Sequence, residues 1–346
     1  MRKISYCQAL NEALSQEMER DPSVFVYGIS VPDHKRIFGT TAGLLEKFGP
    51  ERCFDTPLCE DSMTGFGVGA ALNGLRPVHV HIRVDFLLLA MNQLANMACS
   101  YRYASGGKLK VPMVIRAIIG RGWGQGFQHS KSMYSVFTHI PGLKVVLPTT
   151  PSDAKGLLIS AIRDDNPVIF IEHRWLYWQE DEVPEEPYAT PLGEPNILRE
   201  GEHITVVATS WMNAEALKAA EILEKRGVSV EIVDPRTLVP LNDELIINSV
   251  KKTGYCIVAD NDWLHCGFSA EVAARVGEHC LSDLKAPVRR IGFAATPCPT
   301  VRHLENEFYP DAIEIIKAAE DMLGLKPAEL SHEEFYSYEH KFKGPF

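Results

Sequence analysis

The chain has few of the features that mark secreted, zinc-binding or membrane-spanning proteins. Its eight cysteines are scattered among 346 residues, and no two of them form a C-x-x-C pair. The sequence therefore indicates neither a zinc site nor a disulfide framework, and a reducing compartment fits. The N-terminal segment lacks the apolar core of a signal peptide, and no apolar run is long enough to span a bilayer. We expect a cytoplasmic protein without a membrane partner.

The chain also lacks a concentration of positive charge. Asp and Glu number 45 against 35 Lys and Arg, which gives a formal net charge of −10, and no basic cluster stands out. An acidic chain repels phosphate backbones, so we do not expect a nucleic acid partner. Apolar residues make up 45% of the sequence, and its length suits two domains that can each bury a core.

Short apolar strands alternate with amphipathic helices along both halves of the chain. In the first half, VFVYG (24–28), VPMVIRAI (111–118) and PVIFIEH (167–173) predict buried strands, and helical patterns separate them. A stretch rich in proline and acids at 179–200 predicts a linker or an extended crossover, and a second series of strands and helices begins at residue 204. The alternation predicts an α/β fold of two domains, with mostly parallel sheets covered by helices.

Glycines in the stretch TPLCEDSMTGFGVGAALNG (56–74) allow two interpretations. The pattern Gly65-x-Gly67-x-x-Ala70 has the spacing of a dinucleotide-binding turn, and Asp85 follows about 20 residues later, as a ribose-binding acid would. That motif requires a buried strand that leads into the first glycine, whereas a proline, acids and hydroxyls precede it here. We therefore favour small residues that let a helix pack closely against a sheet. A nicotinamide-dependent dehydrogenase is the least favoured alternative.

Six separated segments resemble the beta subunit of the thiamine-diphosphate-dependent first component of 2-oxoacid dehydrogenases. This family includes the pyruvate, branched-chain and acetoin enzymes and is related to transketolase. The resemblance implies a transketolase-like pyrimidine-binding domain at residues 1–185 and a transketolase C-terminal-like domain at 200–346. The segments follow the family order over nearly the whole chain: FGPERCFDTPLCED (48–61), TGFGVGAALNGLRPV (64–78), YRYASGG (101–107), QHS (128–130), HIPGLKVVLPTTPSDAKGLLISAIRDDNPVIFIE (139–172) and VEIVDPRTLVPL (230–241).

The resemblance implies roles for three side chains. Glu60 matches the acid of the family's TP-x-x-E, which contacts the aminopyrimidine ring of the cofactor. That contact favours the ring tautomer that activates the thiazolium carbon. Phe86 matches an aromatic residue beside the pyrimidine, and His129 matches a histidine in the substrate channel that would transfer protons near neutral pH. The structural alternatives for the three are an exposed loop glutamate, a core phenylalanine and a solvated loop histidine.

The segment SAIRDDNP (160–167) resembles the structural potassium loop of the family. Its backbone carbonyls, one carboxylate and one amide would suit a weakly hydrated cation. A helix end closed by Asn and Pro needs no ion and is the alternative. The predicted potassium ligands are Met113, Ala161, Ile162, Asp164 and Asn166.

Several positions depart from the family pattern and concern the substrate. Ile29 stands where the family has an acid, while Arg121 and Trp123 replace residues that are mostly small in the familiar dehydrogenases. His79 and His81 alternate along one face of a predicted strand. These differences predict a substrate that is bulky or anionic, such as a sugar phosphate or a modified sugar.

One family motif is absent from the sequence. It contains no G-D-G followed at a distance by N-N, the pattern that holds magnesium and the cofactor's diphosphate. The resemblance therefore implies that a partner alpha chain holds both, in an alpha2-beta2 heterotetramer with beta–beta contacts. The leading function is decarboxylation of a 2-oxoacid with acyl transfer to a lipoyl acceptor, with a lipoyl acyltransferase as further partner. The alternatives are the beta half of a split transketolase-like ketol transferase, acting on a sugar or sugar phosphate, and a non-catalytic regulatory or scaffold subunit.

Overall fold

The computed structural model describes residues 1–33, 35–120 and 124–335, so Arg121 and Trp123 lie outside the described residues. Among these residues the chain divides into two compact units: the first holds Met1–Leu192 with Thr237–Pro240, and the second holds Gly193–Arg236 and residues 241–335. The strands are β1 (Arg2–Ser5), β2 (Val24–Gly28), β3 (Cys53–Phe54), β4 (Arg76–His81), β5 (Val114–Ile119), β6 (Lys144–Val146), β7 (Val168–His173), β8 (Glu180–Val183), β9 (Asn196–Arg199), β10 (Ile204–Ala208), β11 (Val230–Asp234), β12 (Thr237–Val239), β13 (Cys256–Trp263) and β14 (Arg289–Phe293). The α-helices are α1 (Tyr6–Arg20), α2 (Leu44–Phe48), α3 (Glu60–Leu72), α4 (Val84–Leu87), α5 (Tyr101–Ala104), α6 (Tyr134–Thr138), α7 (Pro151–Arg163), α8 (Trp211–Glu224), α9 (Glu244–Thr253), α10 (Phe268–Cys280), α11 (Arg302–Asn306) and α12 (Ala312–Leu323).

A seven-stranded sheet forms the centre of the first unit. Its order is β12-β6-β7-β5-β4-β2-β3, and every neighbouring pair is parallel except β12 and β6. All residues of β5 and β7 are buried, as expected for central strands that helices cover on both faces. The carboxyl ends of β4, β5 and β7 meet at one edge of this sheet, which is where parallel-sheet proteins bind ligands.

Two long helices of the first unit begin at caps, and the sequence predicts a capping box from Ser5 with Gln8 and a helix start at Thr150 and Pro151. The Ser5 side chain accepts a hydrogen bond from Gln8 N, and the Gln8 side chain accepts one from Ser5 N, which completes a capping box at the start of α1. At the start of α7 the Thr150 side chain accepts a hydrogen bond from Asp153 N, and Pro151 occupies the first helical position. Helices α1 and α7 pack against each other.

The glycine run lies inside helix α3, and only one of its glycines is required by packing. A Cβ atom on Gly67 would lie 2.2 Å from the Tyr27 hydroxyl oxygen and 2.5 Å from Met113 Cε. Gly65 and Gly69 meet no such obstruction. The dinucleotide interpretation is wrong because the glycines are helical residues and form no turn before a helix. The close-packing interpretation holds for Gly67 alone.

The sequence FLLLAMNQLANMACSYRYASGG (86–107) predicts one helix that ends at glycines, but the structure has shorter pieces there. Helix α4 is followed by a 3-10 turn at Leu88–Ala90, a π-helical segment at Gln93–Ala98, and α5. Each of these helix types differs from an α-helix by less than one residue per turn, so the spacing of apolar residues hardly distinguishes short pieces of them.

The stretch expected to be a linker contains two strands. β8 pairs antiparallel with β1, and β9 pairs antiparallel with β11. The second unit therefore begins at Gly193, before the expected boundary at residue 200, because β9 is an edge strand of its sheet.

The second unit is also built around a sheet. Its strand order is β14-β13-β10-β11-β9, and all neighbouring pairs are parallel except β9 and β11. Its core includes Ile204 and Val206 from β10, Ala216 and Ala219 from α8, and Ile315 from α12. The α/β architecture with mostly parallel sheets is confirmed in each unit.

All eight cysteines fall within the described ranges, and each has a free thiol. Across those ranges, the structure has no helix with both the length and the apolar character that crossing a bilayer would require.

Candidate functional site

A cavity of about 430 Å³ lies at the carboxyl edge of the first unit's sheet. Its walls come from the ends of β2 and β4, the start of α3, the start of α4, and the segments that follow β5 and β7. Glu60, Phe86 and His129 all line it although they are far apart in the sequence. The fold therefore brings together the three side chains to which the resemblance gives a role.

Glu60 is the first residue of α3 and is half-buried. It lies in the first helical turn, where the helix dipole stabilises a carboxylate. The Glu60 side chain forms no hydrogen bond and no ion pair with the part of the chain that the structure describes. Its carboxylate is therefore available to a ligand in the cavity.

Phe86 and His129 contact each other in the cavity wall. Their rings meet edge to face, with centroids 5.2 Å apart and an interplanar angle of 73°. Phe86 is 36% exposed, which is too much for a core phenylalanine. His129 is half-buried, so it is not a simply solvated loop residue.

An ion pair fixes the loop that carries His129. Lys131 Nζ lies 3.2 Å from Asp85 Oδ1, and the Asp85 side chain is only 3% exposed. Burial raises the pKa of Asp85, and the hydrogen bond from Lys131 opposes this rise. Because Asp85 and Phe86 are neighbours in α4, this one short helix contacts the loop at both His129 and Lys131. Asp85 thus holds this loop, and the ribose-binding interpretation has no support.

His79 and His81 lie side by side in β4, line the cavity and are buried. His81 Nε2 is 3.2 Å from His79 Nδ1, and Thr64 Oγ1 is 3.4 Å from the same His79 atom. Burial lowers the pKa of His81 to about 3. Burial also lowers the pKa of His79, and the neighbouring His81 adds to the effect. Both imidazoles are therefore neutral near pH 7, and neither supplies a positive charge to a ligand.

Sequence reasoning missed two buried arginines in the cavity wall. Arg83 follows β4 and Arg174 follows β7, and both line the cavity. Arg83 Nη1 donates to Gly120 O at 2.6 Å. Gln125 Oε1 accepts from Arg83 Nη2 and, at 3.3 Å, from Arg174 Nη1. The only signal in the sequence is that each arginine comes shortly after a buried parallel strand.

The loop expected to bind potassium is held by cations of the chain itself. Arg76 Nη1 donates to Ile162 O at 2.9 Å and to Asp164 O at 3.0 Å. Lys144 forms an ion pair with the Asp164 carboxylate. A guanidinium and an ammonium at this position would repel a further cation.

The other expected potassium ligands also have protein donors. Met113 O accepts from Val168 N at 2.9 Å, and Ala161 O accepts the backbone N–H that follows α7. Asn166 Oδ1 accepts from Arg102 at 2.9 Å. These contacts suit the closed helix end better than an ion site, and potassium binding stays a prediction.

Comparison with known families assigns both units. Residues 2–179 match the family described as transketolase, pyrimidine binding domain. Residues 193–315 match the family described as transketolase, C-terminal domain. The two matches follow the order that the resemblance implies.

Curated proteins of similar sequence match over nearly the full length. The beta subunit of acetoin:2,6-dichlorophenolindophenol oxidoreductase from Cupriavidus necator is 43% identical, over 92% of this chain and 97% of its own. The 2-oxoisovalerate dehydrogenase subunit beta of Bacillus subtilis is 43% identical, over 91% and 97%. The pyruvate dehydrogenase E1 component subunit beta of Rickettsia bellii is 39% identical, over 94% and 100%.

The fold and the cavity define a protein of the transketolase class. The chain belongs to the family of beta subunits of thiamine-diphosphate-dependent 2-oxoacid dehydrogenases. This confirms the resemblance seen in the sequence. A solved structure described as a split gene transketolase, inactive beta4 tetramer, has a TM-score of 0.72 at 24% identity and covers 94% of this chain. At that identity the likeness concerns the fold alone.

Proposed function

We propose that the chain is the beta subunit of a heteromeric thiamine-diphosphate-dependent 2-oxoacid dehydrogenase. Such an enzyme decarboxylates a 2-oxoacid and transfers the acyl group to a lipoyl acceptor. The observation that carries this proposal is the single cavity that gathers Glu60, Phe86 and His129. The names of the relatives support it, because each relative matches at least 91% of the chain.

The residues of the cavity fit the pyrimidine end of thiamine diphosphate. The Glu60 carboxylate has no partner among the described residues, so it can share a proton with a ring nitrogen. Phe86, Leu58 and Met63 offer apolar surface to a flat ring. When bound, the cofactor supplies a thiazolium carbon that adds to the carbonyl of the substrate.

His129 would hold or transfer a proton at the reacting oxygen of the substrate. Its ring is restrained by Phe86, and its loop is restrained by the ion pair between Asp85 and Lys131. Such restraint keeps a general acid or base at hydrogen-bonding distance from the group it serves.

Magnesium and the diphosphate of the cofactor would be held by a partner alpha chain. Residues 1–33, 35–120 and 124–335 contain no group of three or more His, Cys, Asp or Glu side chains placed to bind a metal ion. Magnesium needs oxygen ligands, and diphosphate needs that ion or other cations beside it. We propose an alpha2-beta2 heterotetramer with beta–beta contacts, and a lipoyl acyltransferase as acceptor.

The proposal is tested with the complex of this chain and the alpha chain from the same genome. We expect release of carbon dioxide from pyruvate, 2-oxobutyrate or 2-oxoisovalerate, coupled to acylation of a lipoyl domain. Both activities should require the alpha chain. A complex that binds the cofactor but releases no carbon dioxide from any 2-oxoacid would contradict the proposal, and it would favour a regulatory or scaffold subunit if ketol transfer were also absent.

A second candidate is the beta half of a split transketolase-like ketol transferase. The cationic side chains Arg83 and Arg174 on the cavity favour it, because a sugar phosphate is an anion. Transfer of a two-carbon unit to an aldose, without acylation of a lipoyl domain, would identify this activity in the same complex.

A further inference from the structure

We infer that the substrate of this cavity carries a second anionic group, a carboxylate or a phosphate, and that Arg83 and Arg174 bind it. The group lies at the end of the substrate remote from the reacting carbonyl. The inference rests on the proposed function, because it takes the cavity as the place where the carbonyl substrate reacts. The inference specifies a charged group on the substrate, which the names of the relatives do not indicate.

The two arginines reach the cavity from different strands of one sheet. Arg83 follows the carboxyl end of β4 and Arg174 follows that of β7, with β5 between these strands. Gln125 Oε1 accepts a hydrogen bond from each guanidinium. Two donors that share one acceptor lie within about 6 Å of each other, because each donor is about 3 Å from the acceptor. The two positive charges therefore converge on one part of the wall.

Both guanidiniums are held in place before any ligand arrives. Arg83 is 5% exposed, and its Nη1 also donates to Gly120 O. Arg174 is 2% exposed, and its guanidinium carbon lies 5.0 Å from the centre of the Phe38 ring. A ligand that meets fixed side chains does not have to order them, so its binding is stronger.

The charges of the cavity favour an anion beside these arginines. Two positive charges a few Å apart repel each other, and the repulsion grows when water is excluded. An anion placed against both lowers their mutual repulsion, and the planar guanidinium matches carboxylate and phosphate oxygens. Lys35 also lines the cavity, whereas Asp33 and Glu60 are the acids among its described lining residues.

The position of Gln125 places this anion site on the His129 side of the cavity. Gln125 and His129 belong to the same loop after β5, and both line the cavity. Glu60 lies on a different element, the start of α3, and we assign it to binding the cofactor. A substrate whose carbonyl meets His129 can therefore direct its far end toward the two arginines.

The first test measures substrate preference in the reconstituted complex. We compare kcat/KM for 2-oxobutyrate, whose tail is neutral, with 2-oxoglutarate and phosphohydroxypyruvate, which end in a carboxylate and a phosphate. Fructose and fructose 6-phosphate form the corresponding pair for ketol transfer. We expect one anionic substrate to exceed its neutral counterpart, and the better of the two anions identifies the group.

The variant Arg174→Gln keeps much of the side-chain volume and removes the charge. We expect it to lower the anionic-to-neutral ratio of kcat/KM by about 10- to 100-fold, the range for lost hydrogen bonds to charged groups. Arg174→Lys should retain part of the preference. Arg289→Gln is the matched control, because it removes an exposed charge that pairs with Asp321 in the second unit and should leave the ratio unchanged. An unchanged ratio in Arg174→Gln would overturn the inference, as would a loss confined to the affinity for thiamine diphosphate.

The second test does not depend on turnover. We expect inorganic phosphate, compared with chloride at equal ionic strength, to raise the melting temperature of the full chain and of Arg289→Gln, but not of Arg174→Gln. Phosphate protection in a complex without 2-oxoacid or ketol transfer activity would support the anion site while the proposed function fails. An active complex with no anionic preference and no phosphate protection would leave the proposed function and overturn the anion site.

Discussion

At the scale of single residues, Glu60 is the side chain on which the proposed chemistry depends most. We predict that Glu60→Gln lowers turnover of the complex by about 10²- to 10⁴-fold, the usual range for a group that shares a proton in the transition state. The change keeps the volume of the side chain, so the cavity should stay intact. Steady-state assays at saturating cofactor measure the loss.

Asp61 supplies the matched control for Glu60. It occupies the same first turn of α3, but it is exposed and does not line the cavity. Asp61→Asn should therefore keep turnover close to that of the wild type. Equal losses in the two variants would mean that the start of the helix, and not a contact of Glu60, governs the rate.

His129 should affect the rate more than it affects cofactor binding. We predict that His129→Ala reduces kcat by about 10²-fold or more, because it removes a proton-transfer group, while the apparent affinity for thiamine diphosphate changes little. Cofactor titrations of the complex, followed by activity, separate the two quantities. His139→Ala, outside the cavity, is the control. A collapse of cofactor affinity at an unchanged maximal rate would place His129 at the cofactor instead.

The buried histidine His81 makes the stability of the chain depend on pH. In the unfolded chain a histidine gains a proton as the pH falls below about 6.5, whereas folded His81 stays neutral down to about 3. Between these two pH values the unfolded state binds more protons than the folded state. The free energy of unfolding therefore decreases as the pH is lowered, by about 1.4 kcal/mol per pH unit at most. His79, whose pKa is lowered in the same direction, adds to the effect.

The prediction is that His81→Asn flattens this dependence. Urea denaturation of the full chain near pH 7 and near pH 5 measures the free energy of unfolding at each pH. The variant should lose less stability between the two conditions than the wild type does. An identical loss in both proteins would show that other groups cause the acid sensitivity.

At the scale of secondary-structure elements, helix α3 offers a matched pair of glycines. Gly67→Ala should destabilise the folded chain by about 1–3 kcal/mol, because the new methyl group would overlap the Tyr27 hydroxyl. Gly69→Ala should instead be neutral or stabilise the isolated chain by up to about 1 kcal/mol, since its Cβ meets nothing within 4 Å and alanine favours a helix. Thermal denaturation of the isolated chain compares the two. Similar shifts in both variants would contradict the packing role of Gly67.

The elements that the sequence predicts well are those whose signal is local. Strand β2 was predicted residue for residue, because VFVYG is a short apolar run bounded by polar residues and a glycine. The capping box at Ser5 fixed the start of α1 for a similar reason. The pieces of helix between Val84 and Ala104 could not be resolved, since their apolar spacing is almost the same.

The residues of the cavity also differ in how well the sequence predicts them, according to whether their signal is local. Glu60 and His129 can be proposed from the sequence because motifs of neighbouring residues surround them, and both line the cavity. Arg83 and Arg174 were not, because an arginine after a strand is ordinarily a surface residue and its burial depends on segments distant in the sequence.

At the scale of the whole molecule, the cofactor site should be incomplete in this chain. Thiamine diphosphate is bound largely through its charged tail, and the described residues offer no cluster of side chains for the magnesium ion that accompanies it. We predict that the isolated chain binds magnesium and thiamine diphosphate weakly and turns over no 2-oxoacid. Calorimetric titration of the chain alone and of the complex with the alpha chain measures both affinities. Tight binding near one cofactor per isolated chain would contradict the shared site.

Strand β12 has a consequence for dividing the protein into fragments. It closes one edge of the first unit's sheet against β6, yet it lies in the sequence after residues 193–236, which belong to the second unit. A fragment that ends at Leu192 would contain the cavity residues but leave β6 paired on its β7 side alone, and such open edges promote aggregation. The pyrimidine-binding domain is therefore not a module that a single cut can release. Its recombination with other C-terminal domains in evolution must retain the segment around β12 or replace it.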